Sequence, residues 1–123
     1  MKFIILVGIG GFFGSVGRYL LGQLVQSQIL SSFPLGTMTV NIIGCFIIGI
    51  IYALATRGVA SPEIRVLIAT GFCGGFTTFS SFAYENMTLL QDGQFFYATL
   101  YAGVSFFVGL IAAYVGVIAV KAL

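Results

Sequence analysis

The chain has 123 residues, of which 59% are hydrophobic and only 7% charged, with a net charge of +2. A water-facing globular surface carries about 25% charged residues, so a soluble domain is excluded and the composition falls in the membrane class. So small a net charge gives no basis for binding nucleic acid, and with no histidine and no metal-ligand spacing of the two cysteines a zinc or other transition-metal centre has no donor set.

A helix crossing the roughly 30 Å hydrocarbon core takes about 20 apolar residues, and four stretches are long enough. They predict an all-α membrane protein with one transmembrane domain. Span one covers residues 3–26. Met1-Lys2 before an apolar run has the outline of a signal peptide, but the run continues through glycines without a small-residue cleavage site and reads as a retained span. Gly8 to Gly14 resembles a dinucleotide loop, yet it misses the last glycine of G-x-G-x-x-G and follows no strand. Gly10 and Gly14 have the small-xxx-small spacing of close helix approach in lipid, as do Gly71 and Gly75 further on. Arg18 lies two-thirds along the span.

A serine-rich loop with Pro34 leads into span two, residues 36–56. Asn41 lies near its start, after Thr37 and Thr39. An unpaired buried amide costs roughly 2–7 kcal/mol, so Asn41 must face a neighbouring helix or a wet path. Both readings stay open: its NH₂ group can tie two helices together or donate to an anion. Cys45, and Cys73 in span three, fall mid-span, away from the oxidising aqueous phase a disulfide needs; both read as small apolar fillers.

Span three covers residues 62–90, with Pro62 in the first helical turn, where proline is tolerated. Residues 71–82, Gly-Phe-Cys-Gly-Gly-Phe-Thr-Thr-Phe-Ser-Ser-Phe, interrupt it. Helix packing explains some of these glycines but not their crowding with four hydroxyls. Hydrocarbon has no water to satisfy a loosened backbone, which survives only under protein cover or beside an aqueous cavity. The segment therefore predicts a broken third helix and the place for an ion. Freed carbonyls at Gly74, Gly75, Thr77 and Thr78 suit a cation such as Na⁺. Phe79 and Phe82 share a face beyond the break; core or lipid packing is the commoner meaning of such rings, but their positive edges can also hold an anion. Glu85 reads as a hydrogen-bonded or snorkelling carboxylate, with proton coupling as the other option. The sequon Asn86-Met87-Thr88 is accidental beside a span.

A tight polar turn at residues 91–94 leads into span four, residues 95–120. Tyr101 and Ser105 stand four apart, on one helical face, as a helix seam or as a row of donors. Lys2, Arg57, Arg65 and Lys121 all fall at the end holding the termini and the loop between spans two and three. The opposite loops have no Lys or Arg, and only Arg18 leans that way. The positive-inside rule therefore places both termini in the cytoplasm. With no nucleophile–base pair, carboxylate cluster or metal set, the chain is not read as an enzyme.

The strings Gly14 to Arg18, Gly36-Thr37-Met38-Thr39-Val40-Asn41, Thr70 to Phe82 and Tyr101-Ala102-Gly103-Val104-Ser105 together resemble the small dual-topology fluoride channel family (Fluc, also called CrcB), over nearly the whole chain. The resemblance implies an antiparallel dimer of four-helix subunits in a bacterial inner membrane, with two fluoride pores along the subunit interface. It implies a structural, non-transported Na⁺ held by the backbone carbonyls of Gly74 and Thr77. It also implies a pore formed by the ring edges of Phe79 and Phe82, the Asn41 amide, and a polar track of Ser80, Ser81, Tyr101 and Ser105. Arg18 matches the family's basic position in span one. An antiparallel homodimer needs both insertion orientations, whereas the Lys/Arg bias favours one, so the second subunit is either a copy or an oppositely oriented homologue.

The competing class is a small four-span multidrug/proton antiporter. Such a protein needs a carboxylate in span one to exchange protons for cations, and span one has no Asp or Glu. A non-transporting assembly subunit is a third reading, and it leaves the break in span three unexplained.

Overall fold

The computed structural model describes all of residues 1–123 and is entirely helical. Helix α1 covers Lys2–Ser27 and α2 covers Leu35–Thr56. The third span is composite: α3 (Pro62–Arg65), a π-helical stretch (Val66–Cys73), α4 (Gly74–Phe76), two extended residues, and α5 (Phe79–Gln91). Helix α6 covers Phe95–Lys121. Four spans are long and apolar enough to cross a membrane, and each boundary lies within one residue of the limit expected from the sequence.

Local chemistry sets the ends. Ser61 caps the third span, its Oγ accepting the Ile64 N–H at 3.2 Å, with Pro62 in the first turn. Gly58 and Gly93 take φ of 74° and 75°, the left-handed conformation that glycine supplies after a helix. The chain then folds back, so that the Val59 N–H reaches Leu54 O at 2.9 Å and the Gln94 N–H reaches Leu89 O at 2.8 Å.

Helix α2 runs along α6, while α1 packs against the π-helical stretch and α4; α5 leaves that side and rests on α6. The two small-xxx-small pairs face each other. A Cβ on Gly10 would strike the backbone of Leu67 and Phe72, and one on Gly14 the Phe72 carbonyl. On the other side, a Cβ on Gly75 would come to 2.6 Å from Gly11 O. Contact this close is how helices gain packing energy in lipid, where no hydrophobic force separates helix from solvent.

Both termini lie at one end. Lys2 Nζ is 3.2 Å from Glu63 Oε1 at the start of the third span, and Arg57 Nη1 donates to Val120 O at 2.7 Å, beside Lys121. The outer faces carry large apolar side chains such as Phe12, Phe13, Phe106 and Phe107, as a hydrocarbon surround requires.

One expectation needs correcting in detail. The glycines of the interruption are not the unwound residues: Gly74 and Gly75 are helical, and the threonines after Phe76 are extended. Gly75 has to lie flat against Gly11 and Ser15 of α1, which keeps it in the helix. β-Branched threonine is the residue type that favours extended backbone.

Candidate functional site: the break in the third span

Thr77 (φ −91°, ψ 157°) and Thr78 (φ −150°, ψ 121°) form the break. Several polar groups freed by it take new partners. The Thr77 N–H and Oγ1 both donate to Cys73 O, at 3.0 and 2.8 Å. The Thr78 N–H turns to α2 and donates to Asn41 Oδ1 at 2.8 Å, while Asn41 Nδ2 donates to Thr78 O at 3.1 Å. Asn41 thus imitates a strand partner, holding one residue by both its backbone groups. Thr78 Oγ1 accepts the Ser81 N–H at 3.1 Å and restarts the helix as an N-cap. Arg18 reaches from α1 to donate Nε to Gly75 O at 2.9 Å.

Among the carbonyls that lose their helical donors in this exchange are those of Gly74 and Thr77. Gly74 O would receive the Thr78 N–H, which goes to Asn41 instead. Thr77 O would receive the Ser81 N–H, which goes to Thr78 Oγ1. Gly74 is exposed, with open space where a Cβ would stand. A cation suits this donor set of two neutral carbonyl oxygens at a helix break, and the remaining ligands would have to come from outside the protomer.

Beside the break lies an open cavity of about 460 Å³ whose lining includes Asn41, Thr77, Phe79, Phe82, Ser105 and Phe106. Five residues designated from the sequence therefore meet in one place: Asn41, Thr77, Phe79, Phe82 and Ser105. Phe79 is 79% exposed and stacks obliquely on Phe82, with ring centroids 5.6 Å apart. Ser105 Oγ is buried, has no hydrogen-bond partner and borders the cavity. An unsatisfied buried hydroxyl costs about 1–3 kcal/mol, which a polar guest in the cavity would offset.

The other designated residues lie around this centre. Ser80 is exposed, its Oγ 3.3 Å from Thr78 Oγ1, while Ser81 is half-buried beneath the cap. Tyr101 does not reach the cavity: it is fully buried behind Phe82, with ring centroids 5.0 Å apart. Its hydroxyl donates to Glu85 Oε1 at 2.9 Å, and Thr37 Oγ1 donates to Glu85 Oε2 at the same distance. Glu85 is thus the hydrogen-bonded carboxylate of the two readings, a junction of α2, α5 and α6.

Some of these roles were not reached from sequence. Thr78 as Asn41's partner, Thr37 as Glu85's, and Gly75 O as the acceptor for Arg18 each needed the helix pairing. The available signal was a general one: an amide and a guanidinium inside spans must find acceptors, and a helix break supplies them.

A four-span membrane protein whose third span opens onto a cavity, with its loosened backbone clamped by neighbouring side chains, has the build of an ion-handling integral membrane protein. The chain belongs to the CrcB family: the family described as "CrcB-like protein, Camphor Resistance (CrcB)" matches residues 5–117. A relative from Chlorobium phaeobacteroides (strain BS1), named "Fluoride-specific ion channel FluC", is 52% identical over 92% of this chain and 88% of its own length. Relatives bearing the same name are 48% identical in Gloeothece citriformis, over 96% of each chain, and 47% identical in Thermus thermophilus, over 94% and 93%.

Proposed function

We propose that the chain is a fluoride-specific ion channel that lets fluoride leave the cytoplasm passively through the inner membrane, lowering fluoride toxicity. The observation that carries the reading is the break itself. An extended pair of threonines, pinned by Asn41, stands beside a cavity that brings together an amide, two phenylalanine rings and an unpartnered hydroxyl. Names shared by relatives about half identical over most of the chain support the choice of ion.

The chemistry follows from the ion. Fluoride enters cells as neutral HF, ionises in the cytoplasm and is trapped as a small, strongly hydrated anion. A path for it has to replace that water stepwise, without a full positive charge that would hold the ion too tightly. The Asn41 amide spends one hydrogen on Thr78 O and keeps the second free for an anion. Phe79 and Phe82 offer ring edges. Ser105, Ser80 and Ser81 extend the donor series along α6 and the start of α5, and Tyr101 backs Phe82 from behind.

Gly74 O and Thr77 O would hold a structural Na⁺, which supplies fixed positive charge at the break. These two carbonyls leave a Na⁺ ligand shell incomplete and the cavity is open on its outer side, which suits a second subunit; the resemblance to the family implies that the unit is an antiparallel dimer surrounded by lipid. Its second subunit is a copy of this chain or an oppositely oriented homologue. Arg18, whose guanidinium is committed to Gly75 O, stiffens the same turn.

The test is release from fluoride-loaded liposomes, read with an ion-selective electrode. The expected outcome is fluoride efflux with chloride retained, reduced when Na⁺ is replaced by a large organic cation. Equal chloride release, or transport that requires a proton gradient, overturns the reading. Activity that appears only on co-expression with a homologue identifies the heterodimer.

A further inference from the structure

We infer that Gly44 is a positioning residue for the break: it is the seat into which the Thr77 methyl fits, and this contact fixes how the extended pair faces the cavity. The inference rests on the channel reading for its functional consequence, though the contact itself is geometric.

Gly44 lies one turn after Asn41 on α2, so the two act on consecutive residues of the break. A Cβ on Gly44 would collide with Thr77 Cγ2 and would come within 3.5 Å of Phe76 Cδ2. Thr77 cannot swing its methyl away freely, because its Oγ1 is tied to Cys73 O at 2.8 Å. Rotating χ1 would give up that bond. Moving α2 outward instead would pull Asn41 from the Thr78 N–H and carbonyl. Either relaxation disturbs the Thr77 carbonyl or the clamp on Thr78. On its other side the Gly44 carbonyl lies 3.9 Å from the Cys73 thiol, so Gly44 touches both ends of the turn that precedes the break.

Gly44 differs from the close-approach glycines of the scaffold. Gly10, Gly14, Gly49 and Gly116 would strike backbone atoms, whereas Gly44 would strike one side-chain methyl. A clash with backbone cannot be removed by mutation, but a clash with a methyl can. The pair is therefore testable as bump and hole: Gly44→Ala adds a methyl, and Thr77→Ser removes the one it hits while keeping the hydroxyl and the carbonyl.

The experiment is a double-mutant cycle on the full-length protein, with Thr77→Ser alone as the reference. Gly44→Ala is expected to lower fluoride efflux by about tenfold or more, since an added methylene in a packed site forces backbone shifts. It also raises the Na⁺ concentration needed for half-maximal efflux. Adding Thr77→Ser restores both quantities to the reference and recovers thermal stability in detergent. A Gly44→Ala protein with unchanged efflux and Na⁺ dependence overturns the inference. So does a folded double variant no better than Gly44→Ala. If the unmodified protein releases no fluoride, the channel reading fails on its own, and the seat is then judged by whether Thr77→Ser rescues the melting temperature of Gly44→Ala.

Discussion

The third span is built in two halves on opposite principles. Before the break, Pro62 to Phe76 meets α1 backbone to backbone, through Gly10, Gly14, Gly71 and Gly75, and few side-chain polar groups take part. After it, Phe79–Gln91 touches α6 more sparsely and is held by side chains: the Thr78 cap, the Phe82–Tyr101 ring pair and the Glu85 junction. The first half is a fixed wall. The second half presents its rings and hydroxyls to whatever passes, and the two threonines between them let one chain do both. Steric error should therefore be intolerable before the break, while chemical substitution after it should alter transport more than folding.

Gly14→Ala breaks the comparison most severely if it fails. Its Cβ would fall on the Phe72 carbonyl, an atom without a rotamer to change. Overpacking usually costs about 1–3 kcal/mol and more where backbone has to move, a large share of the stability of a domain. The expected result is little or no folded protein by size-exclusion chromatography, and a strongly lowered melting temperature for any that remains. Near-normal melting would show that the first half is no wall.

Asn41→Asp and Phe79→Ile sharpen the comparison from the other side. Aspartate keeps an acceptor for the Thr78 N–H but turns a carboxylate oxygen toward Thr78 O, so the donor is lost. A buried carbonyl left without its partner costs about 1–3 kcal/mol; both melting temperature and fluoride efflux should fall, efflux by about tenfold or more. Phe79 is 79% exposed in the protomer, and surface changes stay within about 0.5 kcal/mol. Its loss should reduce efflux several-fold, the worth of an aromatic contact of about 0.5–1.5 kcal/mol, with the melting temperature nearly unchanged. A parallel drop in melting temperature would make Phe79 a packing residue.

The same division explains what the sequence disclosed. Span limits were legible to one residue because hydropathy, Pro62, Gly58 and Gly93 report on single helices and turns. The pairing of Gly10 and Gly14 with Gly71 and Gly75 was implicit in their shared spacing. The break was legible only as a window of twelve residues, since glycine suggests both unwinding and close approach, and only the neighbour α1 decides between them at Gly75. The π-helical geometry of Val66–Cys73 was not legible, although its last three residues open that window. At the site, Asn41, Phe79, Phe82 and Ser105 could be nominated by type and spacing. The partners Thr78, Thr37 and Gly75 O could not, because hydrogen bonds between residues 37 to 57 positions apart depend on helix registration.

Glu85→Gln should have the smallest effect on efflux and tests how far the second half depends on charge. The carboxylate accepts from Thr37 and Tyr101 at 2.9 Å each, and glutamine keeps only one of those acceptors. Hydrogen bonds to a charged group are worth about 1.5–3 kcal/mol against 0.5–1.5 for neutral ones, so a loss of about 1–2 kcal/mol is expected. Thr37 can turn its hydroxyl to accept from the new NH₂ group, which moderates that loss, while Tyr101 stays buried behind Phe82. Since the junction braces Phe82 from outside the cavity, fluoride efflux should change less than in Phe79→Ile even though Glu85 is the only acid within the body of the third span. If Glu85→Gln instead abolished efflux while leaving the melting temperature intact, the carboxylate would belong to the ion path and the boundary drawn at Phe82 would have to move to include Tyr101.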